Sequence, residues 1–171
     1  MEIEKPMITR TIEVGGLTKQ QLRQRLQEFS VLVNEYGERL LADENFITSE
    51  KKYKVETVEL TVRSLGFPDG ATMPDIYKQA DELGLKLCPL ELGPYLRLHL
   101  LDQTEGNLGI SLQNQAPTGS ITVASKVLYE DDDFPKGFYL RRIDGQLWLR
   151  GYIADDLHMW NANDCFVFCL T

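Results

Sequence analysis

The sequence predicts an α+β domain, an antiparallel sheet with two to three helices packed on one side. Three observations predict it. Two segments, 18–29 and 72–84, place apolar residues at helical spacing behind good capping residues. The second half of the chain is dominated by short segments of period two. Asp144-Gly145 stands between two such segments, where it calls for a tight hairpin turn. Helices and strands mixed early, with strands dominating late, disfavour a doubly wound parallel sheet.

In chain order, Ile8, Ile12 and Val14 alternate with Thr9, Thr11 and Glu13, giving a first strand that stops at Gly15-Gly16. A helix follows. Thr18 is its N-cap, Gln21 its capping-box partner, and Leu17 can pack on Leu22 as a hydrophobic staple. Leu22, Leu26 and Phe29 form its apolar stripe. A second short helix begins near Asn34 and presents Tyr36, Leu40 and Leu41, although Gly37 weakens it by about 1 kcal/mol relative to alanine.

Val55 to Val62 reads as a strand with Val58, Leu60 and Val62 inward and Thr57, Glu59 and Thr61 outward. Phe67-Pro68-Asp69-Gly70 ends it in a turn, and 67–72 is the one place for a lobe boundary in what is otherwise a single domain over 1–171. Thr72 caps a third helix, Pro74 fits its first turn, and Met73, Ile76, Tyr77, Ala80 and Leu83 line it before Gly84 closes it. Pro89 starts a short helical turn through Leu92.

From Tyr95 onward the expected elements are strands. Leu96, Leu98 and Leu100 alternate with Arg97 and His99; Leu108 to Leu112 and Ile121 to Leu128 follow. Phe166 to Leu170, apolar on both faces, is a central strand. Between them lies the hairpin. Its turn sets Ile143 opposite Gln146, Arg141 opposite Trp148 and Leu140 opposite Leu149. Phe138, Leu140, Leu147 and Leu149 then share a core face, while Tyr139, Arg141, Ile143, Trp148, Arg150 and Tyr152 share the other.

Composition narrows the function classes. A content of 43% hydrophobic and 26% charged residues describes an ordered globular chain. The formal net charge of -8 opposes phosphate backbones and anionic membranes, so neither nucleic acid nor a membrane is an expected partner. The start Met1-Glu2-Ile3-Glu4-Lys5-Pro6 lacks the basic and apolar runs of a secretory signal, and Cys88, Cys165 and Cys169 have no framework spacing. A cytoplasmic protein is the expectation.

Nothing in the sequence asks for a cofactor. Gly15-Gly16 lacks the remaining glycines and the lysine of a phosphate loop, and no Gly-x-Ser-x-Gly elbow surrounds Ser111, Ser120 or Ser125. No metal site is expected either: Glu130-Asp131-Asp132-Asp133 cannot converge on one ion, and Cys165 and Cys169 lie about 13 Å apart along a strand.

Two candidate sites remain. Cys88, ahead of a helical turn, could be a nucleophile with His99 or His158 as base and Asp155 or Asp156 orienting it; Leu85, Leu87 and Leu90 argue instead for a buried, inert thiol. The hairpin face of Tyr139, Arg141, Trp148, Arg150 and Tyr152, with Arg97 and His99 at its edge, has the composition of a binding hot spot. The same residues also read as a stabilising cross-strand pair, or as a face covered by helices. The expected function is a non-enzymatic domain that binds a protein or a small anionic ligand on that face; a small enzyme built on Cys88 is the alternative.

Three segments, Gly70 to Tyr77, Leu83 to Leu98 and Tyr139 to Leu149, together with the closing Phe166-Val167-Phe168, resemble a family of small uncharacterised bacterial proteins. The resemblance implies a bacterial cytoplasmic protein. It carries no activity, cofactor or site residue over to this chain.

Overall fold

A computed structural model describes residues 7–103 and 119–170. Local signals placed the early elements well. Strand β1 (Ile8–Val14) leads into helix α1 (Lys19–Glu28), whose Thr18 side chain accepts from the Gln21 N–H while the Gln21 side chain bonds back to the cap. After the two-residue β2 (Leu32–Val33), Asn34 caps helix α2 (Glu35–Ala42) and has a second role. Its Oδ1 accepts from the N–H groups of Gly37 (2.7 Å) and Gly151 (2.8 Å), and its Nδ2 donates to the Gly151 carbonyl at 3.0 Å. Gly37 therefore sits in this helix for space: a Cβ there would meet Val33 at 2.8 Å and the Leu149 carbonyl oxygen at 3.2 Å.

Strand β3 (Tyr53–Thr61), the short β4 (Ala71–Thr72) and helix α3 (Met73–Glu82) follow, with Thr72 accepting from the Asp75 N–H. Thr57, Glu59 and Thr61, expected to face water, are buried. The strand is central, flanked by β1 and by the last strand, and its polar side chains are satisfied internally: Thr57 donates to the Arg10 carbonyl and Glu59 pairs with Arg10 at 3.1 Å.

The largest correction concerns residues 92–99. They form helix α4 (Leu92–His99), not a strand. Leu92, Tyr95, Leu96 and Leu100 recur at helical spacing and are all buried, and Pro94 falls in the first turn, where the N–H it lacks has no intrahelical partner anyway. The Leu-x-Leu-x-Leu alternation was an accident of composition, because Arg97 at the intervening position is buried too. The expected strand at 108–112 lies outside the described residues.

Strands β5 (Ile121–Val123), shorter than expected, β6 (Gly137–Ile143), β7 (Gln146–Tyr152), β8 (Met159–Trp160) and β9 (Cys165–Cys169) complete the chain. Among the described residues seven strands join in one sheet in the order β1-β3-β9-β5-β6-β7-β2, taking strands from both sides of residues 67–72; β4 and β8 pair separately. The sheet is mostly antiparallel, as expected, but β5 runs parallel to β9 and β2 parallel to β7.

Helices also cover both faces rather than one. Leu22 and Leu26 of α1, Leu40 and Leu41 of α2, and Leu92, Tyr95 and Leu96 of α4 pack with Phe138, Leu140, Leu149 and Val167 into the larger core. On the opposite face Ile76 and Ala80 of α3 pack with Val58, Leu60, Trp160, Phe166 and Phe168. Among the described residues four α-helices are thus split three to one, and α3 lies over the β3–β9 end of its face. The β6–β7 end of that face carries the hairpin's polar set. Among the described residues no helix is long and apolar enough to cross a membrane.

Candidate functional site

The hairpin has the register that its turn demands. Ile143 pairs with Gln146, Arg141 with Trp148, Leu140 with Leu149 and Tyr139 with Arg150, and Asp144 and Gly145 both take positive φ, +52° and +75°, as a type I′ turn requires. Phe138, Leu140 and Leu149 are fully buried, while Tyr139, Arg141, Trp148, Arg150 and Tyr152 are all half-exposed.

On that outer face Arg150 is held by rings. The Arg150 guanidinium lies 5.0 Å from the Trp148 ring centroid and 5.8 Å from that of Tyr139, both within cation–π range. Burial lowers the pKa of Arg141, Tyr139 opposes that shift, and the charge of Arg150 adds to it. The Tyr139 phenol is raised by burial and pulled back by Arg150 and Arg141. Among the described residues no carboxylate pairs with either arginine, and the Nε of each is buried without a hydrogen-bond partner.

Tyr152 belongs to this face by register but points its chemistry elsewhere. Its ring packs edge-on against Trp160, with centroids 5.5 Å apart, and its hydroxyl engages Tyr77 of α3. It marks the seam between the covered and the uncovered ends of the sheet.

Arg97, expected at the edge of the contact surface, is instead 0% exposed on the other side of the hairpin. Its Nη1 donates to Gln103 Oε1 (2.7 Å), to the Trp148 carbonyl (3.1 Å) and to the Arg141 carbonyl (3.3 Å), and its Nη2 to the Leu100 carbonyl. Burial, and next the field of Arg142, lowers its pKa to about 10, which leaves it charged at neutral pH. Gln103, a residue the sequence reading passed over, holds the group in place by donating to the carbonyls of Gly119 (3.0 Å) and Leu140 (3.1 Å). No local signal could have found this pair, because its partners come from three separate stretches of chain.

The thiol site is not assembled. Cys88 is 4% exposed, in the larger core, with its Sγ 3.5 Å from the Val167 carbonyl. Its hydrogen bond with Cys169 and its burial both raise its pKa, opposite to what a nucleophile needs. His99 is exposed at the far end of α4, about 10 Å along the axis from Leu92 at ~1.5 Å per residue. His158 packs edge-on against Trp160 at 5.0 Å, and neither histidine is among the groups that perturb Cys88. Among the described residues no group of three or more His, Cys, Asp or Glu side chains is placed to hold a metal ion.

No family model, curated protein or solved structure matches the chain. Its fold and its candidate site therefore rest on the geometry above.

Proposed function

We propose that this is a non-enzymatic binding protein that takes a protein segment bearing carboxylates beside apolar side chains on the Tyr139, Arg141, Trp148 and Arg150 face. One observation carries the reading: two mutually repelling guanidinium groups lie on a half-exposed aromatic surface with no carboxylate of the described residues to neutralise them. Arginine and tryptophan are the residues that anchor interfaces, since each combines a rigid apolar surface with donors. A carboxylate arriving between the arginines gains charge-assisted hydrogen bonds and relieves their repulsion. The chain's net charge of -8 does not oppose this strongly, because exposed charges are screened beyond about 8 Å at physiological ionic strength.

The face is partly exposed, and it is built on two strands pinned from beneath by Arg97, which suits an extended segment. No observation favours the alternative enzyme, whose thiol is sealed away from both histidines.

A short peptide of alternating glutamate and leucine tests the reading, titrated against its glutamine-for-glutamate counterpart with Trp148 fluorescence as readout. The acidic peptide is expected to bind at least about tenfold more tightly, as one charge-assisted hydrogen bond implies. Arg141→Ala with Arg150→Ala should erase that difference while leaving the circular dichroism spectrum unchanged. Equal binding of the two peptides, or no binding of the acidic one at low salt, sinks the proposal.

A further inference from the structure

On the same sheet face, where α3 ends its cover, a cavity of about 330 Å³ opens between Tyr77, Leu87, Ser125, Val127, Tyr152 and Ala154. That volume is within the range of small-molecule pockets, whose walls are mostly apolar with a few placed polar groups. Here the polar groups are at the floor. The Tyr77 and Tyr152 hydroxyls meet here beside the Ser125 backbone, and burial raises both phenols, so the floor carries no charge at neutral pH.

The Ser125 hydroxyl stands apart. Its residue is 2% exposed, it lines the cavity, and its Oγ has no hydrogen-bond partner among the described residues. A buried hydroxyl left unpaired costs about 1–3 kcal/mol, so its persistence asks for an explanation. Gly137 keeps the space beside it open: a Cβ there would be 3.0 Å from Ser125 Oγ and 3.6 Å from the Tyr152 hydroxyl. Glycine inside a strand is the one trace of this site in the sequence.

We infer that this cavity binds a small, neutral, mostly apolar molecule whose carbonyl oxygen accepts from Ser125 Oγ–H. The rim argues against an anion. Glu130, Asp132, Asp155 and Asp156 outnumber Lys126 and Lys136, and Lys136 is already engaged with Asp132 at 3.6 Å and the Asp131 carbonyl at 3.3 Å. The site is separate from the arginine face and does not depend on it. Only the Tyr152 ring borders both.

Nuclear magnetic resonance titration of the ¹⁵N-labelled full chain with three one-ring probes tests the inference: acetophenone, ethylbenzene, which lacks the acceptor, and benzoate, which is charged. Acetophenone is expected to give saturable shifts at Ser125, Tyr77 and Val127. Ethylbenzene and benzoate should bind at least about fivefold more weakly. Ser125→Ala, which removes an unpaired buried hydroxyl and so should fold, is expected to bring acetophenone down to the level of ethylbenzene. Val127→Trp should abolish the shifts by filling the cavity, whereas Arg141→Ala should leave them unchanged. The assignment is overturned if acetophenone produces no saturable shift at those residues, if either other probe binds as tightly, or if Ser125→Ala binds acetophenone like the unaltered protein.

Discussion

Arg97 and Arg141 lie on opposite sides of the β6–β7 hairpin, and the protein holds them in opposite ways. Beneath the sheet, Arg97 is fully buried, with no carboxylate of the described residues beside it; neutral carbonyls and the Gln103 amide take its Nη1 and Nη2 donors, and its Nε is left without a partner among those residues. Above it, Arg141 and Arg150 keep partial exposure, and Arg150 is held against the Tyr139 and Trp148 rings. The lower arginine has spent both of its Nη groups inside the fold, so it serves structure. The upper pair has not. Residue type alone does not separate the two roles; the number of donors already used does.

The largest test of that contrast is stability. Arg97→Ala leaves carbonyls of Arg141, Trp148 and Leu100 without a charged donor and opens a cavity, and it should destabilise the protein by about 2–4 kcal/mol in urea denaturation. Arg141→Ala should change stability by no more than about 0.5–1 kcal/mol. Similar losses for the two would dissolve the distinction.

A smaller effect probes the turn that sorts the two faces. Gly145 has φ +75°, so Gly145→Ala is expected to cost about 1 kcal/mol through left-handed strain, read as a lowered unfolding midpoint. A neutral change would mean that the turn does not enforce the register.

The finest test is electrostatic. Burial raises the Tyr139 phenol, and the arginines, Arg150 ahead of Arg141, pull it back. Arg150→Ala should therefore move its titration to higher pH, followed through the ring ¹³Cζ signal. The linkage sign follows: a phenol raised in the folded state contributes stability fully present below its unfolded value near 10, and this is lost as pH rises through the folded value. An unmoved titration would place the Arg150 charge away from the ring.

Much of the architecture could be read locally. Thr18, Asn34 and Thr72 announced three helices because a cap acts on N–H groups within three residues of itself. Asp144-Gly145 announced the hairpin and its register for a similar reason. Residues 95–100 failed the same reading, because a run of alternating leucines fits either period and only burial of Arg97 and packing against β6 and β7 decided for a helix. The thiol site was not legible because a meeting of Cys88 with a histidine depends on tertiary contacts, and the fold instead sets Cys88 in the core beside Cys169.

The sequence by itself determined the alternation that splits Leu149 from Arg150 and the turn that fixes it, since both depend on backbone geometry over a few residues. Only the tertiary structure decided which face each helix covers, which arginine is buried, and that Tyr77, Ser125 and Tyr152 converge on one cavity. Those outcomes depend on contacts between separate elements of the chain, and no local propensity encodes the free energy of bringing such groups together.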